Sequence, residues 1–181
     1  MEKKIIIAGF GGQGILFFGR ILAYAGMVEN KEVTWFPSYG GEMRGGTANC
    51  TVIISDELIA SPIVKNPDIL VVMNDQSLQK FQPWLRQKGI LLFDSSLIKK
   101  PELRSDVEVI GVPATDISSA IGNTKSANMV LLGALIARTK LLKEQSASEA
   151  IEDSMDHGKE IIALNKKAVR EGIHFCEDKE S

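Results

Sequence analysis

The chain has 181 residues, a formal net charge of −2, 44% hydrophobic residues and 24% charged residues. A chain of this length buries roughly 70% of its unfolded surface, so one core needs no staple, and the hydrophobic share excludes disorder. Near-neutral charge gives no general attraction to nucleic acid or an anionic membrane. Two cysteines exclude a disulfide framework and any iron–sulfur cluster held by this chain alone.

Lys3 and Lys4 precede an uncharged stretch, residues 5–19, and Ala23-Tyr24-Ala25 imitates a cleavage site. That is the outline of a secretory signal. Gly9, Gly11, Gly12 and Gly14 weaken the helix such a region needs, Gln13 sits inside it, and Arg20 separates it from the cleavage mimic. No stretch reaches the ~20 apolar residues that span a bilayer. A cytoplasmic, reduced protein is expected.

Residues 4–8 read as a short buried strand ended by glycine. A helix follows over 15–29, with Ile15, Phe18, Leu22, Ala25 and Val28 at helical spacing. A second strand, 33–36, is stopped by Pro37. Residues 38–46 are loop-like, with four glycines in nine residues. Residues 47–55 are β-branched and form a third strand. Ser61-Pro62 and Asn66-Pro67 bracket a connection. Residues 68–73 are the next strand, Asn74 and Asp75 offer helix-capping oxygens, and a helix covers 76–87. Strands at 89–93 and 107–112 end at Asp94-Ser95-Ser96 and at Pro113.

From Pro113 the chain reads as helical. Asn123 or Thr124 caps a run that includes Met129 to Ile136, apolar nearly all round and so buried on most sides. Ser146-Ala147-Ser148-Glu149 fits a capping box. The last helix continues to about residue 169, bent at Gly158, and residues 177–181 fray. Alternating strands and helices predict an α/β fold: a mostly parallel, Rossmann-like sheet flanked by helices, with a helical C-terminal region. Residues 1–181 form one unit, the helices from about residue 123 packing on it.

Gly9-Phe10-Gly11-Gly12-Gln13-Gly14 matches G-x-G-x-x-G between a strand and a helix. Glycine suits such a turn because it tolerates positive φ and lets backbone approach a ligand or a packed helix. The dinucleotide fingerprint also needs an acid at the end of the second strand. Thr34-Trp35-Phe36-Pro37-Ser38 has none, and Glu32 stands at the wrong end. A tight turn without a ligand remains open beside a phosphate site.

The most unusual stretch is Pro37-Ser38-Tyr39-Gly40-Gly41-Glu42-Met43-Arg44-Gly45-Gly46-Thr47-Ala48-Asn49-Cys50. It follows a strand at the carboxyl edge of the sheet, where open α/β folds place their sites. Arg44 stands between glycine pairs, and its planar fork suits a carboxylate or phosphate. Ser38 and Tyr39 add hydroxyl donors. A loop that orders only against a partner protein is the alternative.

Taken together, the two glycine-rich segments resemble the gamma subunit of 2-oxoacid:ferredoxin oxidoreductases. Ser61-Pro62, Pro67-Asp68 and Asn128-Met129-Val130 with Leu132 to Leu135 agree. The resemblance covers nearly the whole chain. It implies a subunit of an enzyme that oxidatively decarboxylates a 2-oxoacid to acyl-CoA, using thiamine diphosphate, magnesium, iron–sulfur clusters, coenzyme A and ferredoxin. This chain shows no Gly-Asp-Gly anchor for thiamine diphosphate and too few cysteines for a cluster. The resemblance therefore implies that alpha and beta subunits, with a delta ferredoxin-like one in some members, carry the cofactors. This chain would bind no cofactor or metal alone and would supply no catalytic residue. Ser38, Tyr39, Gly40, Arg44, Gly45 and Gly46 are its expected substrate- or CoA-facing loop, and Gly9, Gly11, Gly12, Gln13 and Gly14 its glycine loop. The form of the Tyr39–Gly46 segment looks closer to the 2-oxoglutarate and branched-chain types than to the indolepyruvate type.

Other residues have plainer readings. Cys50 is a small hydrophobe on a strand, and Cys176 lies near the tail. His157 and His174 have no ligand-spaced partner. Asp94-Ser95-Ser96 either lines the sheet edge or caps a turn. Trp35 and Trp84 are core or interface residues. Two other functions stay open: a free-standing Rossmann-like nucleotide-binding module, and a small stand-alone transferase or hydrolase. The missing strand-end acid counts against the first, and the lack of a Gly-x-Ser-x-Gly elbow against the second.

Overall fold

A computed structural model of the chain describes residues 1–38, 47–154 and 158–178. Its strands are β1 (Glu2–Phe10), β2 (Glu32–Ser38), β3 (Thr47–Ser55), β4 (Ile69–Val72), β5 (Ile90–Asp94) and β6 (Glu108–Val112). Its helices are α1 (Ile15–Val28), α2 (Asp75–Phe81), α3 (Ala114–Ala120), α4 (Ala127–Thr139), α5 (Glu144–Asp153) and α6 (Lys159–Glu177). The strands form one sheet in the order β2-β3-β1-β4-β5-β6. β1, β4, β5 and β6 are parallel neighbours. β3 runs antiparallel to both β1 and β2, so it alone opposes the common direction. The expected α/β class holds, with this one reversed strand.

Period-2 alternation along β1 sorts its side chains onto two faces. Ile5 and Ile7 join the larger core, built with α1, α4, α5 and α6. Ile6 and Ala8 join a smaller one, closed by Leu78, Phe81 and Leu85 beyond β4. Most helical mass therefore lies on one face. The predicted burial of the apolar run in α4 is met: every residue from Ala127 to Ala137 is buried. α4 reaches α6 through reciprocal glycines. A Cβ on Gly133 would stand 1.9 Å from the Val169 carbonyl oxygen, and one on Gly172 2.0 Å from that of Val130. At those distances only hydrogen fits, so the two backbones touch directly.

Among the boundaries that differ from expectation, four have a clear local reason. β2 does not stop at Pro37; it runs to Ser38 with Pro37 in register with Cys50. β2 is the sheet's edge strand, where the missing N–H costs no ladder bond. α2 ends at Phe81, and a 3₁₀ turn over Gln82–Trp84 takes in Pro83, which cannot continue the helical ladder. Ser146 is not a cap: α5 begins at Glu144, and Ser146 is buried inside it. At Gly158 the helix is not bent but begun anew, since α5 ends at Asp153 and α6 runs from Lys159 to Glu177, well past residue 169.

Candidate functional site at the carboxyl edge of the sheet

The chain leaves β1 toward the β2 side through α1, and leaves β4 toward β5 through α2. A crevice opens where such connections part. It lies here outside the ends of β1 and β4, a groove of about 560 Å³ lined by Phe10, Gln13, Met73, Asn74, Asp75 and Leu97 among others.

The glycine loop forms one wall. Its conformation is held by Gln13, whose Oε1 accepts the Phe10 N–H at 2.6 Å and whose Nε2 donates to the Met73 carbonyl at 3.0 Å. The side chain thus ties the end of β1 to the end of β4. A Cβ on Gly9 would meet Gln13 Oε1 at 2.6 Å, so Gly9 is required by this tie. Gly14 caps α1 in the left-handed region, with φ 73°. Its missing Cβ leaves room for Asn128, whose Nδ2 donates to the Gly14 carbonyl at 3.0 Å. Gly11 and Gly12 are exposed, and Gly12 has φ 95° with open space around it. Packing thus explains two of the four glycines, and two present backbone to solvent.

The opposite wall starts at Asn74, which caps α2 as expected: its Oδ1 accepts the Ser77 N–H at 2.7 Å. Its Nδ2 is buried with no hydrogen-bond partner. Among the described residues, Asp75 is the only charged side chain lining the crevice. An anion would find exposed loop backbone there, but no cation from the described residues in the lining.

Of the second segment, Ser38 ends β2, and β3 begins at Thr47 opposite Phe10 of the glycine loop. Tyr39, Gly40, Arg44, Gly45 and Gly46 lie outside the described residues, as does His157. Ser38 is opposite Asn49, which in turn pairs with Ala8. The sheet therefore brings both ends of that segment to the same edge as the glycine loop.

The remaining candidates have structural duties. Asp94 is fully buried, and its carboxylate accepts from Ser96 N at 3.0 Å and Thr115 Oγ1 at 2.5 Å. It ties β5 to the start of α3, which makes it a capping group. Cys50 is fully buried, and burial pushes its thiol up to about 12. Cys176 is buried too, and neither cysteine is in a disulfide. His174 is exposed on α6. Trp35 packs on Gly19 beside Cys50 while staying 37% exposed. Asn128 was not among the expected site residues. Its signal in the sequence was a lone amide opening an otherwise apolar run.

Residues 4–175 match the profile of the pyruvate ferredoxin/flavodoxin oxidoreductase family. The chain belongs to this family. It is 41% identical to the ketoisovalerate oxidoreductase subunit VorA of Methanothermobacter marburgensis, over 97% of this chain and 37% of that one. It is 40% identical to the 2-oxoglutarate synthase subunit KorC of Methanocaldococcus jannaschii, over 92% of each. The keto/oxoacid ferredoxin oxidoreductase gamma subunit of Geobacter sulfurreducens superposes with a TM-score of 0.85 at 28% identity, over 97% of this chain and 99% of that one. The resemblance drawn from the glycine-rich segments is met at the level of the family. The chain spans about 37% of the length of its VorA relative and nearly all of KorC.

The cofactors that the family implies find little purchase here. Among the described residues no three His, Cys, Asp or Glu side chains are grouped to hold a metal. The chain has two cysteines, both packed in the core, so an iron–sulfur cluster does not fit it. Among the described residues no helix is long and apolar enough to cross a membrane.

Proposed function

We propose that this chain is the gamma-type subunit of a multi-subunit 2-oxoacid:ferredoxin oxidoreductase, working in the cytoplasm. It takes part in the CoA-dependent oxidative decarboxylation of a 2-oxoacid to acyl-CoA. The observation that carries this reading is the family match over residues 4–175, together with a KorC relative of nearly the same length. In this reading thiamine diphosphate, magnesium and iron–sulfur clusters are held by alpha- and beta-type partners, with or without a delta-type one, and ferredoxin takes the electrons. The thiamine cofactor supplies the carbanion chemistry. This chain contributes binding and enclosure.

The crevice at the carboxyl edge supports that division of labour. Gln13 is spent on holding the loop, Asp75 is the only charge in the lining among the described residues, and two glycines present bare backbone. Such a wall suits a site whose cations come from elsewhere. Arg44 is the candidate to provide one, beside Ser38, Tyr39, Gly40, Gly45 and Gly46. Its guanidinium fork would engage the carboxylate of the oxoacid or a phosphate of coenzyme A.

The test is purification of the complex through a tag on this chain, followed by assay with coenzyme A, ferredoxin and a panel of 2-oxoacids. Partner chains carrying thiamine diphosphate and iron–sulfur clusters are expected. Arg44→Ala is expected to raise KM for coenzyme A or for the oxoacid. Unchanged KM for both would refute its role. A chain that purifies alone and is stabilised by NAD or FAD would refute the subunit reading in favour of a nucleotide-binding module.

A further inference from the structure

The two faces of the sheet are unequally covered. α1, α4, α5 and α6 close one face. On the other, α2, the following 3₁₀ turn and the 57–67 connection leave a groove of about 280 Å³ open over β2 and β3. Ile6, Thr51 and Phe81 are part of its lining, and Phe36, Ile63 and Trp84 stand at it 57%, 69% and 45% exposed. Among the described residues, Lys80 is the only charged side chain in the lining. Three large apolar side chains converging on one groove, with a single charge among its described lining, form a docking patch rather than the scattered apolar exposure normal on any surface.

The same folding unit occurs joined and separate. It makes up 37% of the VorA relative and 92% of the KorC relative. A unit that is covalently joined to its neighbour in one relative must hold that neighbour by its surface where the two are separate chains. We infer that the groove formed by Phe36, Ile63 and Trp84 docks the polypeptide that corresponds to the rest of the longer relatives. The inference rests on the subunit reading above.

Two features say how that chain arrives. The sheet edge beside this groove is β2, and Pro37 removes a backbone donor from it, which disfavours addition of a further strand there. The partner therefore seats on the face, with apolar side chains as anchors in the groove. Ser38 and Asn49 line the groove, and Asn49 pairs with Ala8, two residues before Phe10 of the glycine loop. A chain anchored there stands beside the candidate site and is placed to complete it.

The experiment uses the complex purified through a tag on this chain, with partners identified by mass spectrometry. Ile63→Asp is compared with Ile161→Asp, a control on α6 that is 42% exposed. Ile63→Asp is expected to lower recovery of the chain homologous to the missing part of VorA by tenfold or more, with Ile161→Asp recovering it normally. A photo-crosslinking residue at position 63 gives a second reading that does not depend on the stability of the variant: crosslinks to that chain from 63 and none from 161 support the inference. Normal recovery with Ile63→Asp, or crosslinks from 161 alone, overturns the groove as the docking site and leaves the subunit reading standing. Wild-type chain that recovers no such partner, or crosslinks only to its own copies, overturns both.

Discussion

Gly14 and Asn128 make the joint between the glycine loop and the helical layer a sharp test of the packing. A Cβ on Gly14 would lie 2.3 Å from Asn128 Nδ2, more than 1 Å inside ordinary contact. Asn128 is 3% exposed and hydrogen-bonded to the Gly14 carbonyl, so it has little freedom to withdraw. Overpacking of this kind costs about 1–3 kcal/mol. The left-handed φ of Gly14 adds roughly 1–2 kcal/mol for any residue with a Cβ. Gly14→Ala is therefore expected to destabilise by about 3 kcal/mol, some 6–12 °C in Tm for a chain of this size. Asn128→Ala loses two hydrogen bonds, the one it donates to the Gly14 carbonyl and the one its Oδ1 accepts from the Met129 N–H at 2.9 Å, about 2 kcal/mol net together. The Gly14 carbonyl is not orphaned by that change, because it also accepts the Phe18 N–H at 2.9 Å. In the double variant the clash is gone, and only the φ cost and the two lost hydrogen bonds remain. Adding Asn128→Ala to Gly14→Ala should thus change stability little, although on its own it costs about 2 kcal/mol. Urea denaturation of the four proteins reads this directly. A double variant about 2 kcal/mol less stable than Gly14→Ala alone, as simple additivity requires, would refute the argument.

Four further outcomes are expected. Gly133→Ala drives its methyl to 1.9 Å from the Val169 carbonyl, so it should cost about 2 kcal/mol by overpacking despite the better helix propensity of alanine. Gly158→Ala, with nothing within 4 Å among the described residues, should be neutral or stabilising in thermal melts. Cys50, held up to about 12 by burial, should resist a thiol reagent in the native protein at pH 8 and react once unfolded. Its raised pKa contributes stability that is complete below pH 9 and lost as pH rises toward 12, which Cys50→Ala should flatten in alkaline melts. Asp56 is held down to about 2 by hydrogen bonds from Lys31 and the N-terminal ammonium. Its contribution is present above pH 4 and lost as pH falls toward 2, so Asp56→Asn should flatten that part of the acid titration of stability.

Strands were legible in the sequence because each is a short β-branched or apolar run between turn residues. The helix over 15–29 was legible from its spacing, although Val28 proved 37% exposed. What escaped was whatever depends on neighbours distant in sequence. Pro37 reads as a stop until β2 is known to be an edge strand. Ser146 has the spacing of a cap, yet the chain before it is already helical because α5 packs on α1 and Ala147 and Ala150 are buried. The direction of β3 is set by pairing, which residue types do not record. At the site, the glycine loop was visible as a motif, but the reasons for its glycines were not. Gly9 answers to Gln13 and Gly14 to Asn128, a residue 114 positions away.

The reversal of β3 decides more than topology. A dinucleotide fold places β2 directly beside β1, so that an acid ending β2 reaches the ribose of a ligand whose pyrophosphate sits on the glycine loop. Here β3 lies between them. Adjacent strands are about 4.8 Å apart, which sets the end of β2 roughly 10 Å from that of β1. An acid at Ser38 would therefore miss the place where the fingerprint needs it. The lack of that acid and the inserted strand are one fact seen twice. The glycine loop cannot draw on β2 in the dinucleotide manner, Gln13 is occupied within the chain, and among the described residues the crevice lining holds no cation. The surroundings that a ligand at this edge requires must come from the Tyr39–Gly46 segment or from another polypeptide. That requirement points the same way as the family match and the open apolar groove.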